Sequence, residues 1–262
     1  YNTSLGYASG YKCSTGDSNT NVGSVAGYWN ATGSYNTFVG RYAGYGTDGE
    51  DIGNSNTALG YKAGYKLEAE AIDNVAVGSN ALDANTQGRY NVAVGHEALS
   101  ANVVGDYNIG IGYRALLAAV TADGTGSNVV IGHNAAAALS TGTANTIIGH
   151  TAGKTGVITG THNLCLGYAS GDDLTSGGSN IFAGSNAGKE MATGSGQVFI
   201  GYNSGDAMTL GTGNVAIGYD TLTSATAHTS TPAQCPHANT AVGYKALEDM
   251  NIVDSGSTYG YN

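Results

Sequence analysis

A five-residue block, Asn-(Thr/Val)-x-(aliphatic)-Gly, returns about every 17 residues along the whole chain. It reads Asn36-Thr37-Phe38-Val39-Gly40, Asn56-Thr57-Ala58-Leu59-Gly60 and Asn74-Val75-Ala76-Val77-Gly78, and continues to Asn239-Thr240-Ala241-Val242-Gly243. Its closing glycines mark 14 units, most spaced 17 or 18 apart, with two gaps of 20 and a last gap of 25. Self-similarity at a fixed period sets the architecture before local propensity does. With the closing glycine as position zero, minus one is aliphatic or Ala, and minus three is Thr, Val, Ile or Leu. Two residues apart, they share one side of an extended strand. Minus two points the other way and is often Ala, Phe or, once, Cys165. Apolar residues on both sides predict a strand buried on two faces.

Position plus three is Ala, Ser or Thr in every unit, and plus four is mostly Gly or Leu. The rest of each unit is rich in Gly, Ser, Thr, Asp and Asn, which is turn chemistry. With 43 glycines in 262 residues, helices are disfavoured. Leu67–Ala71 and Ala115–Val120 have local helical character but no full amphipathic period, and read as loop insertions. The expected fold is all-β: a parallel β-solenoid of about 14 coils, two short strands per coil, in one domain over residues 1–262. Coils roughly 4.8 Å apart would give a rod of about 65 Å. The block's opening residue is Asn in 13 units, with Gln197 the exception. Asn2, Asn36, Asn56, Asn74, Asn91, Asn108, Asn128, Asn145, Asn163, Asn180, Asn214 and Asn239 are expected to form an amide ladder at one corner. The closing glycine reads as a corner needing positive φ or close approach.

Composition narrows the function classes. Net charge is −10, and the nine Lys and Arg are scattered, which weighs against nucleic acid and anionic membranes. No apolar run reaches the roughly 20 residues of a membrane-spanning helix. Small residues replace the large aliphatics of an ordinary core, so further burial by self-association is expected. Cys13, Cys165 and Cys235 lack zinc-site spacing. Tyr1 and Asn262 both fall within the repeat pattern, which reads as a segment of a longer polypeptide.

The runs Asn56-Thr57-Ala58-Leu59-Gly60-Tyr61-Lys62-Ala63-Gly64 and Asn214-Val215-Ala216-Ile217-Gly218 resemble the repeats of phage tail fibres and bacterial surface proteins. They are also similar to the head repeat of YadA-like trimeric autotransporter adhesins, whose core is Asn-Ser-Val-Ala-Ile-Gly. The resemblance covers essentially the whole chain. It implies a left-handed parallel β-roll, assembled as an extracellular homotrimer on a virion or bacterial surface, that brings loops to a glycan or protein receptor. The head repeat of that family is shorter than the one here, so larger loops are expected on one side of each coil.

Position plus one forms an aromatic row, with Tyr7, Tyr61, Tyr113, Tyr168, Tyr202, Tyr219 and Tyr244, and with His96, His133 and His150 between them. Such rings could stack on sugars, or could pack as a ladder beneath loops or at a subunit interface. His133 and His150 hold the same place in successive coils, but no acidic partner recurs to complete a metal site. Gly149–Thr155 has the look of a phosphate loop with its first glycine one residue late. Asp172-Asp173 and Asp48–Asp51 lack an ordered calcium pattern. The longest insertion, Thr221–Ala238, holds both prolines, Pro232 and Pro236, and is a candidate contact loop.

A structural or adhesive role is therefore expected, with no enzymatic activity and no cofactor or metal. Two other readings stay open: a polysaccharide-degrading enzyme, whose carboxylate pair could come from adjacent coils, and an ice-binding solenoid. Thr at minus three fills only six units, among them Thr3, Thr20 and Thr37, so an ice-binding rank would be broken.

Overall fold

The structure is a computed structural model that describes residues 1–119, 125–223 and 237–248. The chain divides into two compact units, Tyr1–Thr141 and Gly142–Asn262. Both are parallel β-solenoids with a period of about 17 residues, and no helix occurs among the described residues. The first unit carries β1 (Thr3–Leu5), β2 (Thr20–Val22), β3 (Thr37–Val39), β4 (Thr57–Leu59), β5 (Val75–Val77), β6 (Val92–Val94), β7 (Ile109–Ile111) and β8 (Val129–Ile131). The second carries β9 (Thr146–Ile148), β10 (Leu164–Leu166), β11 (Ile181–Ala183), β12 (Val198–Ile200), β13 (Val215–Ile217) and β14 (Thr240–Val242). Within each unit every strand pairs in parallel with the next, and the register aligns the block: Thr57 faces Val75, and Leu59 faces Val77.

Each coil holds one three-residue strand, not the two expected. The remainder turns through left-handed residues at plus two and plus four, such as Lys62 (φ 55°) and Gly64 (φ 55°), or Glu97 (φ 55°) and Leu99 (φ 52°). These turns still meet their backbone hydrogen-bonding requirement, because their N–H groups reach the neighbouring coil. Gly44 N donates to Ala63 O at 2.9 Å, Gly46 N to Tyr65 O at 3.0 Å and Asn80 N to Tyr61 O at 2.9 Å. A second strand is therefore unnecessary. Leu67–Ala71 and the described part of Ala115–Val120 are non-helical; Leu67, Ala71, Ala115 and Leu116 are core residues, not surface insertions.

The expectation of burial on both strand faces is corrected. The minus-two residue is buried along almost the whole series, from Asn21 and Phe38 to Ala216 and Ala241. Minus three and minus one are half-buried or exposed. A coil this narrow encloses only one side of its strand, and that side belongs to minus two.

Volume inside each coil is balanced locally. Where minus two is large, plus four is Gly: Phe38 with Gly44, Phe182 with Gly188, Phe199 with Gly205. Where minus two is Ala or Gly, plus four is commonly Leu: Ala76 with Leu82, Ala93 with Leu99, Gly110 with Leu116, Ala216 with Leu222. A Cβ on Gly44 would lie 2.5 Å from the Phe38 ring, so the pairing is a steric requirement. A left-handed Leu costs about 1–2 kcal/mol of backbone strain, and burying the side chain offsets it by about 1.5–3 kcal/mol. Position plus seven completes the core with Leu67, Leu139, Leu174, Met191 and Met208.

From Asn19 onward the opening amides are buried and join successive coils, while Asn2 at the first coil is exposed. Asn36 N donates to Asn19 Oδ1 at 2.9 Å, and Asn56 N to Asn36 Oδ1 at 2.8 Å. Their Nδ2 groups donate to turn carbonyls one coil on, as Asn91 does to Gly105 O at 2.8 Å and Asn180 to Gly194 O at 2.8 Å. Gln197 keeps the acceptor role, taking Asn214 N–H at 2.9 Å. At the other end of the strand, a Cβ on Gly78 (φ 132°) would sit 2.5 Å from Gly95 O, so the closing glycine is required on both counts.

Candidate functional site

The plus-one row stands at the end of the strand, just after the closing glycine, and its tyrosines are exposed. Its rings stack on one another where neighbouring coils both carry one. Tyr113 stacks between His96 and His133, with centroids 5.5 and 4.9 Å apart. His150 stacks on Tyr168 at 5.6 Å, and Tyr219 stacks between Tyr202 and Tyr244 at 5.1 and 5.5 Å. Tyr7 and Tyr61 have no parallel ring partner among the described residues. A ring stacked on both sides has no free face, so Tyr113 and Tyr219 offer solvent an edge and a polar atom. The Tyr219 phenol is held above its ordinary value, first by the adjacent Asp220 carboxylate and then by burial.

A second aromatic column at plus five was not singled out in the sequence. Tyr11, Tyr28, Tyr45 and Tyr65 stack in successive coils with centroids 5.3, 5.4 and 5.2 Å apart. Trp29 meets Tyr28 edge-on, and Tyr42 bridges to the plus-one row by edge contacts with Tyr45 and Tyr61. Lys12 Nζ lies 4.9 Å from the Trp29 ring, Lys62 Nζ 5.2 Å from the Tyr65 ring and the Arg41 guanidinium 4.8 Å from the Tyr42 ring. Burial, then the neighbouring Tyr11 and Tyr45, raises the Tyr28 phenol. The readable signal was Tyr at plus five in four consecutive units.

The remaining candidates do structural work. Asp51 accepts the backbone N–H of Ala31 and Thr32, both at 2.9 Å, and the Thr32 hydroxyl. Asp172 accepts from Lys154 N at 3.1 Å and Thr155 N at 3.2 Å, and Asp173 accepts from the Thr155 hydroxyl. The loop resembling a phosphate cradle thus gives two of its N–H groups to a carboxylate. Among the described residues, no group of three His, Cys, Asp or Glu side chains is placed to hold a metal ion. Cys165 is sealed in the minus-two column, where burial pushes its thiol up to about 12. Cys13 is half-buried, with Sγ 3.5 Å from Gly16 O. Most of the Thr221–Ala238 loop, including Pro232, Cys235 and Pro236, lies outside the described residues. Of its described part, Thr221 and Leu222 are buried, and His237 meets Thr212 Oγ1 at 2.6 Å.

No protein-family model and no curated protein matches the chain.

Proposed function

We propose that the chain is a structural segment of an extracellular fibre or adhesin, on a phage tail or a bacterial surface, that assembles as a homotrimer and presents side chains to a host surface. The observation that carries this reading is the outward face of the sheet. Along β5, β6 and β7 that face is Val75, Val77, Val92, Val94, Ile109 and Ile111, half-buried in the single chain. Leu59, Ile200 and Ile217 are each more than a third exposed. A solvated sheet face alternates to polar residues, and a continuous apolar one calls for a cover. Its surface repeats with each coil and carries no charge at these positions. The cover that matches that period strand for strand is a second copy of the same chain. Resemblance to YadA-like adhesin heads and phage fibre repeats supplies the three-fold count and the extracellular setting. Attachment would then rest on many weak contacts, multiplied about 10²- to 10⁴-fold by linkage.

Solution mass by light scattering on a chromatography column tests the reading. A particle of three times the 26.2 kDa chain is expected. A stable monomer, with its Val and Ile face in water, would remove the basis for the assembly.

A further inference from the structure

We propose that the aromatic and cationic surface of coils one to four is a binding site for an acidic polysaccharide lying along the coil axis; this rests on the surface-attachment reading above and names its ligand class. Two independent observations converge on this surface. The first is the tyrosine stack. Tyr11, Tyr28, Tyr45 and Tyr65 advance by 5.3, 5.4 and 5.2 Å per coil. Their faces are taken up by one another, so the stack presents a file of ring edges and phenol hydroxyls. A β-1,4-linked chain of pyranoses advances by nearly the same distance per sugar. Each coil can therefore meet one sugar, with hydroxyl bonded to hydroxyl, while successive sugars turn opposite edges towards the stack, so that alternate coils meet equivalent edges.

The second observation is charge. The chain carries a net charge of −10, yet Lys12, Arg41 and Lys62 form no ion pair within 4 Å among the described residues, Lys62 being drawn only at longer range to Asp83. They are held against rings instead, Lys12 over Tyr11 and Trp29, Lys62 over Tyr61 and Tyr65. By contrast Arg89, Arg114 and Lys245 each have a carboxylate within about 3 Å. A cation held over an aromatic face keeps its N–H donors available to an incoming anion. The combination of regularly spaced hydroxyls with flanking cations that have no contact ion pair suits a glycan with carboxylates along its length, such as a uronic acid polymer. It suits a neutral glycan less well, because the cations would then lose hydration without gaining a counter-charge.

Calorimetry on the full chain, titrated with a β-1,4-linked glucuronic acid oligosaccharide and with the matching cello-oligosaccharide, tests this directly. The two differ only at C6, a carboxylate in one and a hydroxymethyl group in the other. Binding of the acidic sugar, weakened by salt and about tenfold or more by Lys12→Gln with Lys62→Gln, is expected. Tyr28→Phe keeps the stack and removes one hydroxyl, so it should weaken binding with the fold intact. Lys189→Gln, in the second unit, should leave it unchanged. Equal affinity for both sugars, no affinity for either, or indifference to the double substitution overturns the proposal. A trimer that attaches to host surfaces without competition from the acidic sugar would sink this site alone. A monomer with no surface attachment would sink the underlying reading as well.

Discussion

Two positions show how a single atom decides the fold. Gly78 and Gly213 both have positive φ, at 132° and 68°, but a Cβ on Gly78 would meet Gly95 O at 2.5 Å and one on Gly213 would meet nothing within 4 Å. Gly213→Ala should cost only left-handed strain, about 1–2 kcal/mol. Gly78→Ala must also push two coils apart and break their ladder, so its urea midpoint should fall several-fold further. Equal losses would mean that coil contact is not what fixes the closing glycine. Asp206 offers a test by pH. Its carboxyl is raised, first by burial and then by Glu190 and Asp220 nearby, against hydrogen bonds that lower it. A folded value above the unfolded one means that stability from the neutral acid is whole below the unfolded value and is lost as pH rises through the folded value. Asp206→Asn should therefore raise the thermal midpoint at about pH 7, with no gain at about pH 3, where the acid is protonated in both states. A gain that is the same at both pH values would refute the electrostatic cause.

At the scale of one coil, the strand position and its register could be read from the block, because the closing glycine and opening asparagine recur in fixed places. The facing of the strand could not. Minus two and its neighbours are all apolar, and only the path of the turns decides which side the coil closes over. The turns were hidden for a related reason: Val25, Tyr42 and Lys62 adopt φ of 55°, 61° and 55° without any Gly or Asn signature. Contacts between coils override local preference there. The reciprocity of minus two and plus four was present in the sequence as Phe38 with Gly44 against Ala76 with Leu82, and it supports a double-mutant cycle. Phe38→Ala alone should cost about 3–5 kcal/mol, and Gly44→Leu alone should clash with the ring. Together they recreate the Ala–Leu pair of coil five, so the double variant should be more stable than the sum of the single losses by about 0.5–3 kcal/mol. Additive losses in chemical denaturation would show that the two positions do not share one space. The plus-one tyrosines were legible for a different reason, as a row running the length of the chain. The plus-five stack spans only four coils and emerged once the rings were placed side by side.

Across the whole molecule, contacts run from each coil to the next within each unit, so stability should be close to a sum over coils and their interfaces. Deleting residues 79–95 joins Gly78 to His96 and removes one full 17-residue period. The shortened chain should keep the circular dichroism of the parent per residue. Deleting 79–87 removes about half a coil and breaks the register, so it should not fold; a folded half-coil deletion would refute coil-wise closure. That local closure of Phe38 against Gly44, and of Ala76 against Leu82, also bears on heredity. Unequal exchange between similar stretches of the gene adds or drops whole periods without spoiling any packing arrangement. Lineages can therefore vary in copy number freely, while tyrosine, lysine or serine at the outer positions of any one copy is replaced independently of what holds it in place.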